Sequence, residues 1–228
     1  PYERYDEMVV RQTAIHLSDE LWVSYSFQTI LDWVLLSVST NNTLHVADIG
    51  CGVGRIIGEL ASLSPQGKFW GIDTSYQMLR RAKEYWIDGK TIPVDWSHRG
   101  LKVIHITGHT LSNLNFALAK AEQLFFDNNS LDVILSSFLI DRLVDPIKGL
   151  KEMFRILKPD GKLLLVSPLN FQQSKNWELL YPIEKLIQQV ENLGFKIENF
   201  NSEILIEEPL DARANKIHWN CVAIVATK

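Results

Sequence analysis

From residue 44 onward the chain alternates short apolar runs with stretches whose apolar positions recur every three or four residues. The first pattern suits buried strands and the second suits amphipathic helices. Their alternation points to an α/β fold, a parallel sheet covered by helices. Strands are predicted at residues 44–49, 69–72, 131–135 and 162–166. Helices are predicted at 55–63, 75–86 and 146–157. Met78, Leu79 and Ala82 share one face of the second helix, and Ile147, Leu150, Phe154 and Leu157 one face of the third. That third helix is expected to stop at Lys158-Pro159-Asp160-Gly161, where proline cannot continue it and glycine permits a reversal. Ile183, Leu186, Ile187, Val190 and Leu193 mark a further helix, closed by Gly194. Two strands, near 195–206 and 219–227, end the chain.

Two regions break this alternation. Residues 1–40 read as helical and aromatic, with Tyr5, Trp22, Tyr25, Phe27 and Trp33, and with a helix over 26–38. They are expected to form an N-terminal lid or cap. Residues 89–113 stand where a short connection would suffice, and so long a connection points to function or to structure of its own. An insertion is expected there, with an added strand at 103–107, shaping the substrate side or an oligomer contact.

Composition narrows the reading without changing the fold. The 228 residues suit one domain, and the apolar share of 46% and charged share of 22% are those of a globular chain. A net charge of −4 argues against a nucleic-acid partner. Cys51 and Cys221 have no paired spacing, and the six histidines do not fall at ligand spacing, so neither a disulfide framework nor a metal site is expected. With no membrane-length apolar run and no leader pattern, a cytoplasmic setting is expected. The chain opens on Pro1, so it reads as trimmed or as part of a longer polypeptide, and a homodimer is compatible with it.

The strongest local signal is Val46-Ala47-Asp48-Ile49-Gly50-Cys51-Gly52-Val53-Gly54-Arg55, a strand running through alternating glycines into a helix. Glycine accepts positive φ and lets a ligand approach the backbone. Asp73 closes the next strand, 19 positions after Gly54, where a carboxylate can accept the hydroxyls of a ribose. A dinucleotide fingerprint would need a small residue at position 55, and Arg55 is large. Asp48 would also repel a pyrophosphate. It suits a cationic ligand such as S-adenosylmethionine, which carries a sulfonium and an ammonium.

Asp48 to Gly54 resembles the first motif of class I S-adenosylmethionine-dependent methyltransferases. The resemblance continues through Gly71-Ile72-Asp73-Thr74-Ser75-Tyr76-Gln77-Met78-Leu79, Ala121-Glu122-Gln123-Leu124-Phe125-Phe126-Asp127, Ser130 to Ser137 and Arg155 to Leu163. It implies a Rossmann-like methyltransferase fold, with a mostly parallel seven-stranded sheet, an antiparallel last strand and helices on both faces. It implies S-adenosyl-L-methionine as cofactor, leaving as S-adenosyl-L-homocysteine. By the same resemblance Gly50, Cys51 and Gly52 lie against the methionine part. Asp73 holds the ribose, Thr74 and Met78 border the adenosine, and Ala121 and Glu122 line the adenine. Ser136, Ser137 and Phe138 close the floor beneath the sulfur. Many relatives place an Asp before the Ala-Glu pair, and this chain has Lys120, which cannot accept a bond from the adenine amino group.

The methyl acceptor is less marked. Relatives often carry a histidine after the fourth strand, and here Asp141 and Arg142 stand there. Asp141 is the candidate general base, set against a plain capping or ion-pairing role. Arg142 is a candidate for an acceptor carboxylate, set against a surface ion pair. A lid would carry Tyr5 or Tyr25 to the site, whereas a packed helix would not. The 89–113 segment, the run Arg142-Leu143-Val144-Asp145-Pro146 and Val166-Ser167-Pro168 also look somewhat like the methyltransferase domain that completes ovothiol synthesis, implying a mercaptohistidine-like acceptor. The expectation is a methyltransferase acting on a small molecule at an O, N or S atom by in-line transfer. The alternatives are a protein or RNA methyltransferase and a catalytically silent interaction protein. Ser136-Ser137-Phe138-Leu139 stands where amino-methylating enzymes of nucleic acids carry a Pro-Pro-aromatic loop.

Overall fold

The computed structural model describes residues 2–22, 24–38 and 43–228, with side chains from residue 6 onward. The N-terminal part holds α1 (Tyr2–His16) and α2 (Gln28–Ser37). Strand β1 (His45–Ile49), α3 (Arg55–Leu63), β2 (Lys68–Asp73) and α4 (Tyr76–Trp86) follow. Next come the antiparallel pair β3 (Thr91–Val94) and β4 (Ile104–Thr107), then β5 (Leu114–Leu118). The chain continues through β6 (Leu131–Ser137), α5 (Pro146–Ile156), β7 (Leu157–Ser167), α6 (Ser174–Leu180) and α7 (Ile183–Asn192). It ends with β8 (Lys196–Pro209) and β9 (Lys216–Thr227).

The main sheet has the order β5-β2-β1-β6-β7-β9-β8, with β9 antiparallel to both neighbours and the pairs from β5 to β7 parallel. This is the mostly parallel, seven-stranded arrangement the resemblance implies. Its strands are apolar almost throughout because both faces are covered. In β7, Leu164 and Val166 join the cluster that includes Ile57, Leu60, Leu79 and Ala82 of α3 and α4. Leu163 and Leu165 join the opposite cluster, with Leu150 and Met153 of α5 and Leu186 and Val190 of α7.

The structure corrects one local expectation and adds two elements, β5 and α6, for which the sequence carried none. Strand β5 pairs with β2 at the sheet edge, although Leu-Asn-Phe-Ala-Leu reads as no particular element. Lys158–Gly161 is not a turn between helix and strand. Strand β7 begins at Leu157, and the pairing with β6 shifts between Leu131 and Val133, so these residues form a bulge in which Asp160 takes φ 62°. Helix α6 carries too short an apolar pattern to be read from sequence.

The ends of β1, β2 and β6 open on one crevice, where the order turns from β2 to β6 on either side of β1. Ligands of open α/β sheets bind at such a point. The last β7–β9 pair is Ser167 with Val222, and beyond it Ile204–Pro209 continues against Lys216–Cys221 past that edge of the sheet. This arm meets the 89–113 segment through Ala212 N–H to the Arg99 carbonyl, 2.9 Å. It meets α1 through Glu208, which accepts from Arg11 and from Trp219 Nε1. Trp22 stacks edge-on to Trp96, with centroids 5.9 Å apart. Three stretches distant in sequence thus meet over one end of the sheet.

Candidate functional site

The loop after β1 is shaped by glycines. Gly50, Gly52 and Gly54 take φ of 83°, 54° and 78°, values that favour glycine. The N–H groups of Gly50 and Cys51 both donate to the Ile72 carbonyl, at 2.7 and 3.0 Å, which ties the loop to β2. Gly52 N–H donates to Asp73 Oδ2 at 2.9 Å, and Ser75 N–H to Oδ1 at 2.8 Å. Each carboxylate oxygen still has a lone pair to offer. A Cβ on Gly52 would meet nothing within 4 Å, so this backbone faces open space.

Asp48 lies behind the loop, 3% exposed, and its carboxyl has no hydrogen-bond partner among the described residues. Burial, and then the charge of Asp73, push it up to about 7. An unpartnered buried carboxyl is costly. A ligand cation would relieve that cost, and a pyrophosphate would deepen it. The donor set therefore fits a cationic nucleoside. The Cys51 thiol is buried beside the loop, pushed well up by burial.

Beyond Asp73, Thr74 is exposed and Ser75 caps α4 by accepting from Met78 N–H at 3.3 Å, with Met78 buried. Ala121 is buried and Glu122 half-buried in a tight turn where Gln123 N–H bonds the Lys120 carbonyl at 3.0 Å. Lys120 itself is exposed. The loop that follows is clamped from α5. Arg155 donates to the carbonyls of Leu124 and Phe126 at 3.0 and 2.9 Å, and Glu152 accepts from Leu124 N–H at 3.0 Å.

Near the end of β6, Ser136 is buried and its Oγ has no partner among the described residues. Ser137 and Phe138 are half-buried. Phe138 takes φ 54°, and its ring meets Phe27 at 5.5 Å and Trp219 at 6.0 Å, both edge to face. Asp141 sits on the next turn, fully buried. Its Oδ1 accepts from Ser167 Oγ at 3.0 Å, and Oδ2 faces Arg142 Nε at 3.4 Å without hydrogen-bond geometry. Burial raises its pKa against the pull of Arg142. Arg142 is exposed.

Sequence reasoning missed His16 and the partners of Arg55. His16 Nδ1 lies 2.8 Å from Tyr25 Oη. Burial, with Arg55 and Arg11, lowers the imidazole to about 3, so it is neutral. Arg55, read from sequence as an obstacle to dinucleotide packing, reaches His16, Asp19 and Tyr25 of the N-terminal segment. A cation in the first turn of a helix opposes the dipole, and that was the available signal. The Tyr5 side chain lies outside the described residues.

The sequence profile of the methyltransferase domain family matches residues 40–200. A stretch of 130 residues, 57% of this chain, is 31% identical to the ubiquinone/menaquinone biosynthesis C-methyltransferase of Citrifermentans bemidjiense and covers 47% of it. Another, 59% of this chain, is 27% identical to the malonyl-acyl-carrier-protein O-methyltransferase of a Marinomonas species and covers 42% of it. The chain thus spans less than half the length of these relatives. In fold it is similar to a SAM-dependent methyltransferase from Aquifex aeolicus, with TM-score 0.59 and 17% identity over 99% of this chain and 97% of that one.

Proposed function

The chain belongs to the class I S-adenosylmethionine-dependent methyltransferases, and from that membership we propose that it methylates a small molecule enclosed beneath its cap. S-adenosylmethionine supplies, when bound, a methyl carbon already activated by the sulfonium. Asp48 and the Gly50–Gly54 backbone would hold the amino-acid end, Asp73 the ribose, and Thr74, Met78, Ala121 and Glu122 the adenosine. Cys51 packs the loop from behind, and Ser136, Ser137 and Phe138 form the wall toward the acceptor.

The chain's own task is alignment and exclusion of water. Holding two partners in line can contribute about 7–11 kcal/mol in favourable cases. The observation that carries the acceptor class is the cap. The β8–β9 arm bonds both the 89–113 segment and α1, and Trp22 meets Trp96; a crevice covered by these stretches would favour a small acceptor over a folded protein or RNA. The relatives named above include a C- and an O-methyltransferase, so membership of the family does not by itself fix the acceptor atom. Asp141, closed off and held by Ser167, keeps the turn after β6 in shape. Arg142 is exposed on that turn and would meet a carboxylate if the acceptor carries one beside its recognised group.

The test is transfer of a labelled methyl group from S-adenosylmethionine into small-molecule, protein and RNA fractions offered separately, with mercaptohistidine-type thiols as one arm. Label in the low-mass fraction is expected. Label in protein or RNA overturns the acceptor class. Cofactor binding without any transfer favours a silent interaction protein.

A further inference from the structure

Arg55 directly follows the glycine loop, and cofactor binding gives it no task. Its side chain is only 12% exposed. Nη1 donates to the His16 carbonyl at 2.9 Å and to Asp19 Oδ1 at 2.8 Å, and Nη2 to Asp19 Oδ2 at 3.0 Å. The guanidinium carbon stands 4.4 Å over the Tyr25 ring, and Nε lies 3.0 Å from Glu59. Apart from Glu59, these partners fall within residues 16–25. One side chain therefore ties the N-terminal segment to the residue that leaves the loop.

What this segment brings is a polar pair in aromatic surroundings. His16 and Tyr25 are bonded to each other through Nδ1 and Oη, and the Nε2 edge of the imidazole is turned from that bond. Phe27 stacks on His16 at 4.7 Å and reaches Phe138 at the end of β6, which in turn meets Trp219 of the arm. The pair is thus linked through Arg55 to the residue that leaves the glycine loop, and through Phe27 to Phe138 after β6. The charged groups that act on His16 are Arg55, Arg11 and Asp19, and the imidazole stays neutral among them. It offers a hydrogen bond and no charge.

Resting on the methyltransferase reading above, we propose that the His16–Tyr25 pair recognises the methyl acceptor and that Arg55 is the positioning residue that sets it over the glycine loop. The acceptor class is a small molecule with an uncharged hydrogen-bonding group on an apolar body. The group bonds the imidazole edge, and the body packs among Phe27, Phe138 and Trp219.

Hydrogen exchange with S-adenosylhomocysteine as the probe tests the coupling. In the wild type the ligand is expected to protect the amides of residues 50–54 and of 16–25. In Arg55→Lys, which keeps the charge and loses the fork, protection of 50–54 is expected to persist and that of 16–25 to vanish. Protection confined to 50–54 in the wild type, or an unchanged pattern in Arg55→Lys, overturns the proposal alone. Absence of protection at 50–54 overturns the cofactor reading and the proposal with it. With the low-mass fraction that takes the label as acceptor, Tyr25→Phe and His16→Leu are expected to raise the acceptor KM at least tenfold. S-adenosylhomocysteine affinity should change less than twofold, and His16→Gln should recover part of the loss. Unaltered acceptor KM in both variants overturns the recognition role.

Discussion

Replacing Asp48 by Asn is expected to stabilise the free protein and weaken cofactor binding. The folded carboxyl is raised to about 7 from 3.8. A carboxyl raised on folding holds its proton more tightly in the folded state. Folding is therefore favoured below the unfolded value, and this contribution is lost as pH climbs through the folded one. A gap of about three units corresponds to about 4 kcal/mol at most. Asp48→Asn and the wild type should then melt together only below about pH 3.8, where the carboxyl is neutral in the unfolded chain as well, and at pH 5 the variant should already be the more stable by about 1.6 kcal/mol. At pH 8 the variant should melt higher, by roughly 8–16 °C at the upper bound for a chain of this size. Binding runs the other way, because only the carboxylate pairs with a cation. Between pH 7.5 and 6 the wild-type affinity for S-adenosylhomocysteine should fall roughly eightfold as Asp48 takes up its proton. Staying below pH 7.5 keeps the ligand's own amine charged. Asp48→Asn should bind more weakly and with no slope. Calorimetric titration across that range reads both quantities. A flat wild-type profile, or a slope that survives in Asp48→Asn, refutes the reasoning.

Three further substitutions separate packing from chemistry. Gly58→Ala would press a Cβ to 2.3 Å from the Trp86 ring, which is fixed by its Nε1 bond to the Val53 carbonyl, so denaturant unfolding should show a loss of about 1–3 kcal/mol. Gly52→Ala has room for its methyl but keeps φ 54°, so it should cost about 1 kcal/mol in stability and at least tenfold in S-adenosylhomocysteine affinity. Asp141→Asn can still accept the Ser167 bond, so labelled-methyl turnover should stay within a few-fold of wild type, and loss of turnover with intact cofactor affinity would make Asp141 the base after all.

The central strands and the loop after β1 were legible because local chemistry dictates them. Apolar runs covered on both faces leave no other reading, and glycines at 50, 52 and 54 with an acid at 73 encode a turn and its partner within a few dozen residues. Strand β5 was missed because an edge strand with Asn115 at its second position shows neither clean alternation nor a full apolar run. Asp141 was placed on the right turn, but sequence does not say which way a side chain points, and this one points inward to Ser167. The polar pair was invisible for a different reason. His16 and Tyr25 acquire meaning only when Arg55, some 39 positions after His16, folds back on them. The cap likewise depends on Arg11 meeting Glu208, a contact spanning 197 positions.

The most direct measurement is a calorimetric titration of the wild type and of Asp73→Ala with S-adenosylhomocysteine, with a nicotinamide dinucleotide as the competing ligand. One site per chain is expected for the homocysteine nucleoside, weakened at least tenfold in Asp73→Ala, and no heat for the dinucleotide. Silence with the nucleoside, equal affinity in the two proteins, or preference for the phosphate-bearing ligand would contradict the assignment of the crevice.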